Sequence, residues 1–221
     1  GSTLLAWSRV VNERIWEIRD ELDVASGGRT RLLPVTKSFG AEAVLAVRAA
    51  GLVVVGENYA QELVAKHREV DDPKIDWHMI GRLQRNKVRR LAGIVSLWQS
   101  VDRPELVDEI ARWAPGARIL VQVDVLGLAA QGGCRPGQVE ELVVRGNDAG
   151  LEVAGLMGVG VRGDRNGTEQ SFATIARLAD QLGLAERSMG MTDDREVAVA
   201  QGSTLVRIGR ALFGDRPASP G

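Results

Sequence analysis

The sequence predicts an α/β protein built as a single (β/α)8 TIM barrel with an extra N-terminal helix, and three observations carry that expectation. Eight short apolar, β-branched runs recur along the chain, amphipathic segments alternate with them, and 221 residues suit one barrel of this kind. An open doubly wound sheet is the alternative, but the first strand candidate lacks the glycine-rich turn of a dinucleotide fold.

The extra helix is read from Leu4, Trp7, Val11, Ile15, Ile18 and Leu22, which recur every three or four residues until Ser26-Gly27-Gly28 breaks the pattern. Strand candidates follow at 31–36, 52–56, 76–80, 94–99, 117–124, 152–157, 185–189 and 205–208. Helical periodicity fills 41–50, 59–70, 85–91, 104–113, 136–149 and 168–182 between them. No linker, repeat or low-complexity tract interrupts the alternation, so residues 1–221 are expected to form one domain. Residues 1–2 read as a cloning scar and 217–221 as a frayed tail.

Composition excludes several classes of function. Lys and Arg number 28 against 29 Asp and Glu, a net charge of −1, so nothing marks the molecule as a nucleic-acid or membrane binder. The basic stretch Arg82, Arg85, Lys87, Arg89 and Arg90 reads as a solvated helix face, because no aromatic residues interleave for base stacking. The single cysteine, Cys134, forms no intramolecular disulfide and stands in a glycine-rich loop. There is no signal segment and no apolar run near the roughly 20 residues that a membrane helix needs, so the expected compartment is the cytoplasm. One cysteine and two separated histidines offer no metal-ligand spacing.

The residue with the most chemical content is Lys37, placed where the first strand should end and before the helix at Ala41. An amine on the lip of a barrel is partly desolvated, which favours its neutral form and lets it form an imine with an aldehyde. In such a barrel phosphate commonly sits at the loops after strands seven and eight. Ser188-Met189-Gly190-Met191 and Val206-Arg207-Ile208-Gly209-Arg210 fall there, with Gly209 able to bring the backbone close to a ligand. Alternation points Arg207 away from the face that carries Val206 and Ile208. Asn58 either caps the following helix or reaches a ligand at the mouth. His78, between Trp77 and Met79, reads as a packed histidine rather than an acid or base.

These segments together resemble the pyridoxal-phosphate homeostasis protein family, single-domain relatives of the alanine racemase barrel. The resemblance runs through Val35-Thr36-Lys37, the segment Gly56-Glu57-Asn58-Tyr59-Ala60-Gln61-Glu62-Leu63, and Trp77-His78-Met79-Ile80-Gly81-Arg82-Leu83-Gln84-Arg85-Asn86-Lys87. It continues through Ser100-Val101-Asp102, Ser188-Met189-Gly190-Met191 and Val206-Arg207-Ile208-Gly209. It implies pyridoxal 5'-phosphate held by Lys37 as a Schiff base, Arg207 facing the pyridine nitrogen, and Ser188, Gly209 and Arg210 around the phosphate. Arg82, Arg210 and the stretch 124–133, which lacks the lysine usual in relatives, depart from the family pattern.

The resemblance implies a protein that buffers and delivers pyridoxal phosphate without amino-acid turnover, as a monomer whose partners are the cofactor and apo-enzymes that use it. The alternative it leaves open is a racemase or related fold-type III enzyme on the same imine. An always-protonated Arg207 makes the ring a weaker electron sink, and racemisation needs a second base opposite Lys37. The sole tyrosine, Tyr59, is not established in that place. A barrel enzyme for phosphorylated metabolites would use the same phosphate face and be colourless.

Overall fold

The structure, a computed structural model, describes residues 1–128 and 130–215. The expected tail at 217–221 lies outside the described residues, as does Ala129 within the 124–133 stretch. Helix α1 (Ser2–Ser26) buries Val11, Ile15, Ile18 and Leu22 and ends at Gly27, whose φ of 63° is the left-handed conformation that glycine adopts without a Cβ clash.

Eight strands follow: β1 (Arg31–Pro34), β2 (Val54–Glu57), β3 (Asp76–Met79), β4 (Val95–Val101), β5 (Arg118–Val123), β6 (Glu152–Gly158), β7 (Glu186–Met189) and β8 (Leu205–Ile208). Every pairing is parallel, in the order β1-β8-β7-β6-β5-β4-β3-β2. A bridge between Val35 and Gly56 completes the ring, with the Thr36 N–H donating to the Gly56 carbonyl at 3.0 Å. The expected barrel is therefore the fold observed.

The helices are α2 (Ala41–Ala49), α3 (Ala60–Val70), α4 (Val88–Leu91), α5 (Pro104–Trp113), α6 (Val139–Asp148), α7 (Arg165–Gln181), α8 (Arg195–Ala200) and α9 (Arg210–Phe213). Single 3-10 turns, Arg85–Lys87 and Pro136–Gln138, lead into α4 and α6, where the sequence predicts continuous helix. Helix α7 begins three residues before its apolar periodicity does, because the Asp164 side chain accepts the Gly167 N–H at 2.8 Å and caps a polar first turn. The short α8 and α9 were not delimited from the sequence, since six and four residues carry too little periodicity.

Alternation along each strand separates two cores. Trp77, Met79, Val206 and Ile208 join Leu106 and Phe172 in the apolar layer between sheet and helices. Inside the barrel, Leu97, Leu120 and Met157 pack together. His78 and Arg207 take the inward positions on β3 and β8. Helix α1 holds the far end of the chain: the Trp7 indole donates to the Phe213 carbonyl at 3.2 Å, and Arg14 donates to the Leu212 carbonyl at 3.2 Å.

Strands β6 and β7 approach so closely that a Cβ on Gly155 would lie 1.9 Å from the Glu186 carbonyl oxygen. Gly155→Ala is expected to lower unfolding free energy in urea by about 1–3 kcal/mol, whereas Gly93→Ala, with nothing within 4 Å of its added methyl, should stay within about 0.5 kcal/mol of the parent.

Candidate functional site

Lys37 sits in a turn that begins where β1 stops pairing. The Phe39 N–H closes the turn on the Thr36 carbonyl at 3.1 Å, and Ser38 takes φ 66°, unusual for a residue with a Cβ. The Ser38 N–H donates to both Glu62 carboxylate oxygens at 3.2 Å. Behind the turn, Lys66 Nζ donates to the Thr36 carbonyl and to Glu57 Oε1, each at 2.6 Å, and the Thr36 hydroxyl donates to the same Glu57 oxygen. Burial pushes the Glu57 carboxyl up from its ordinary range while the Lys66 ammonium pulls the other way. The half-buried Lys37 amine has no hydrogen bond or ion pair among the described residues.

The register places Arg207 beside Leu33 and Ile208 beside Pro34, so β8 delivers its arginine next to the strand that leads to Lys37. Arg207 is 4% exposed and has no ion-pair partner among the described residues. Burial lowers its pKa to about 10, with Asp194 opposing, which leaves it protonated at neutral pH. It donates to Ser188 Oγ at 2.7 Å and to the Gly158 carbonyl at 2.8 Å, two of the five donors of a guanidinium.

A directed chain of hydrogen bonds starts from that cation. Because Arg207 only donates, Ser188 Oγ accepts from it and passes its own hydrogen to Gln99 Oε1 at 2.6 Å. The Gln99 amide then faces His78 Nδ1 at 2.9 Å, which must accept, so the imidazole is neutral with its proton on Nε2. Desolvation first, then the positive charges of Arg31 and Arg118, lowers the His78 pKa to about 3. The expectation of a packed histidine holds.

The other predicted residues surround the same mouth. The N-cap of α3 is Tyr59, without a side-chain capping bond, and buried Asn58 Oδ1 has no partner among the described residues. The capping alternative is thus not what the structure shows. A Cβ on Gly209 would stand 3.0 Å from the Val35 carbonyl, and the first helical N–H to find a partner after it is that of Leu212, on the Gly209 carbonyl at 2.9 Å. The N–H groups of Arg210 and Ala211 therefore have no partner within α9. The Arg210 side chain is exposed and unpaired among the described residues. Ser188 is fully buried, its hydroxyl committed to Gln99 and Arg207.

The end of the 124–133 stretch is held by two bonds: Gln122 Nε2 donates to the Gln131 carbonyl at 3.0 Å, and Gly133 N–H to Asp102 Oδ2 at 2.9 Å. Cys134 beside it is buried, with its thiol pushed up to about 12 by burial and by Asp102, so it is an inert thiol. Among the described residues no cluster of His, Cys, Asp and Glu could hold a metal, and no helix is long and apolar enough to cross a membrane.

Sequence reasoning missed Gln99 and Lys66 and assigned no role to Glu57. Gln99 was visible as an amide inside an otherwise apolar strand. Lys66 was visible as a charge three residues after Leu63 on the apolar stripe of α3, where a lysine is ordinarily assumed to reach solvent.

A model of the alanine racemase N-terminal domain matches residues 17–217. The pyridoxal phosphate homeostasis protein of Pseudomonas aeruginosa is 38% identical over 193 residues, covering 84% of each chain. That of Deinococcus radiodurans is 38% identical over 193 residues, covering 85% of this chain and 90% of its own. The chain belongs to the pyridoxal phosphate homeostasis protein family. This family member also resembles the solved structure of PipY from Synechococcus elongatus with pyridoxal phosphate bound, at 31% identity and TM-score 0.81 over 92% of this chain and 100% of that one. An alanine racemase from Clostridium difficile shares the fold alone, at 12% identity and TM-score 0.76, covering 97% of this chain and 61% of that one.

The depressed His78 pKa has a signed consequence for stability. The unfolded chain takes up a proton near pH 6.5 that the native imidazole refuses until about pH 3. The native state is therefore penalised progressively as pH falls below 6.5, by at most about 1.4 kcal/mol per pH unit. In a His78→Asn variant, unfolding free energy measured in urea between pH 6.5 and 4 should fall less steeply than in the parent.

Proposed function

We propose that this protein binds pyridoxal 5'-phosphate on Lys37 and serves to hold and hand on that cofactor. The observation that carries the reading is the pairing of an amine without a partner, in the turn after β1, with a buried guanidinium on β8 that has no ion pair among the described residues. A buried cation without a carboxylate costs several kcal/mol, so a site of this kind suits a ligand rich in negative charge and hydrogen-bond acceptors. The residues present fit the cofactor: an amine for its aldehyde, an Asn58 oxygen without a partner among the described residues, and a turn at Gly209 where a Cβ would stand in tight contact with the Val35 carbonyl. The names of the relatives and the cofactor in PipY support the same assignment.

Pyridoxal phosphate, when bound, would supply an aldehyde as the electrophile for a lysine amine. Lys37 supplies that amine. Arg207 keeps two donors on Ser188 and Gly158, and its remaining donors would be free for the ring nitrogen, which would stay unprotonated beside the cation. Gly209 brings the backbone within reach of the phosphate, the N–H groups of Arg210 and Ala211 donate to it, and the Arg210 guanidinium adds a charge-assisted contact. Ser188 serves this grip from below by fixing Arg207, since its own hydroxyl is already paired in both directions.

Holding without turnover is the second half of the proposal. A ring nitrogen facing Arg207 withdraws electrons weakly, which leaves proton removal from a bound amino acid with little help. Tyr59 is 54% exposed and its hydroxyl has no partner among the described residues, so nothing fixes it opposite Lys37 as a second base. The cytoplasm is the proposed compartment, with apo-enzymes that require the cofactor as recipients and the monomer as the working form.

Borohydride reduction of the cofactor-loaded protein, followed by peptide mass mapping, should place the reduced adduct on Lys37. An adduct on another lysine would overturn the assignment. Gly209→Ala is expected to weaken cofactor binding in absorbance titrations by about tenfold or more, since a lost backbone contact to an anion is worth about 1.5–3 kcal/mol. In deuterated water, the loaded protein should neither racemise amino acids nor label their α-carbons catalytically. Sustained turnover that disappears in Lys37→Ala would establish the racemase alternative instead.

A further inference from the structure

Lys66 and Glu57 form a pair that stability alone does not explain. Their side chains are 6% and 0% exposed, and Nζ lies 2.6 Å from Oε1. Taking both charges out of water costs more than their attraction returns in most proteins, and a well-packed apolar pair of the same volume does as well or better. Glu57 Oε2 is also buried without a partner among the described residues, a further cost. The pair therefore has to be understood from what it touches.

It touches the peptide that precedes Lys37. Lys66 Nζ and the Phe39 N–H both donate to the Thr36 carbonyl, at 2.6 and 3.1 Å, so both lone pairs of that oxygen are engaged. Glu57 Oε1 accepts from Lys66 and from the Thr36 hydroxyl, which fixes the donor and the Thr36 side chain together. Because the peptide group is planar, an oxygen held by two donors fixes the plane that sets the course of the chain into the Lys37 Cα. On the other side of Lys37, the Ser38 N–H is held by Glu62. Glu62 and Lys66 are four residues apart and so share one face of α3. One helix face thus grips the peptides on both sides of Lys37, and it holds Ser38 in a left-handed conformation that otherwise costs about 1–2 kcal/mol.

We propose that Lys66, backed by Glu57, and Glu62 are positioning residues that aim the Lys37 amine, with no contact of their own to the ligand. The proposal rests on the reading of Lys37 as the cofactor lysine, but it concerns the presentation of the amine and leaves the phosphate grip untouched. It separates capture of the aldehyde from affinity for the rest of the molecule.

The test uses full-length Glu57→Gln/Lys66→Met, which leaves no buried charge unpaired, and Glu62→Met, which removes both acceptors of the Ser38 N–H and keeps an unbranched side chain of similar length. Two ligands are compared: pyridoxal 5'-phosphate, and pyridoxine 5'-phosphate, which has an alcohol in place of the aldehyde and cannot be captured. Both variants should trap pyridoxal phosphate on Lys37 about tenfold more slowly, the usual scale for losing a group that orients a reacting one. Affinity for pyridoxine phosphate should stay within about twofold of the parent, as expected where uniform binding is unchanged. Equal slowing of capture and loss of pyridoxine phosphate affinity would indicate a structural role and overturn the proposal, as would unchanged capture in both variants. Should the double variant not fold, Glu62→Met decides by the same criteria. If the parent itself traps no cofactor on Lys37, the functional reading fails, and the positioning is read from Lys37 acetylation by an activated ester. An acetylation rate that changes in the variants relative to exposed Lys74 supports the positioning role, and an unchanged rate overturns it.

Discussion

Closure of the barrel between β1 and β2 is the constraint on which the site depends. β1 pairs with β8 along its length, from Arg31 opposite Leu205 to Pro34 opposite Ile208. Toward β2, the pairing among the described residues is the Val35–Gly56 bridge just past β1 and the Thr36 N–H bond to the Gly56 carbonyl. Gly56 suits that seam, because a Cβ there would press to 3.1 Å against Leu33 and 3.3 Å against Ile80. The seam lies at the C-terminal end of the strands, so the residues released beyond it, Lys37 on one side and Asn58 on the other, enter the mouth together. The α3 grip on Thr36 and Ser38 extends the closure one turn further.

The barrel interior is divided between an apolar cluster of Leu97, Leu120 and Met157 and the polar chain from Arg207 to His78. The chain has a direction because its first member cannot accept a hydrogen bond. Every polarity below Arg207 follows from that, down to the tautomer of a histidine on β3. Such a network is costly unless complete, since a buried donor or acceptor left without a partner loses about 1–3 kcal/mol. Ser188 shows the same accounting, as its one hydrogen goes to Gln99 and its oxygen accepts from Arg207.

The fold was legible because parallel strands buried on both faces leave short apolar runs, and because their number matched a closed ring. What escaped was local. The polar first turn of α7 shows no apolar period, and its start is visible only in the Asp164 cap. Alternation around Val206 and Ile208 did place Arg207 inside the barrel. The partners of Arg207 were not legible, since Gln99 and Ser188 lie 89 residues apart and meet only across the closed ring. Lys66 is the clearest miss: a lysine in a helix defaults to solvent, and only the carbonyl of Thr36, 30 residues earlier, explains its burial.

The clasp between α1 and α9 has a consequence for the order of assembly. Trp7 meets the Phe213 carbonyl across 206 residues of sequence, and β1 finds its long edge partner only in β8. Helix α1 finds α2 and β1 close by in sequence, but β1 has no partner for its long edge until β8 has been made. Contacts so distant along the chain make folding slow and leave early segments open to wrong partners. The Gly209 turn follows β8 directly, so the mouth gains that edge only when the ring closes. A nascent chain has the amine of Lys37 long before it has the Arg207 guanidinium that β8 brings alongside.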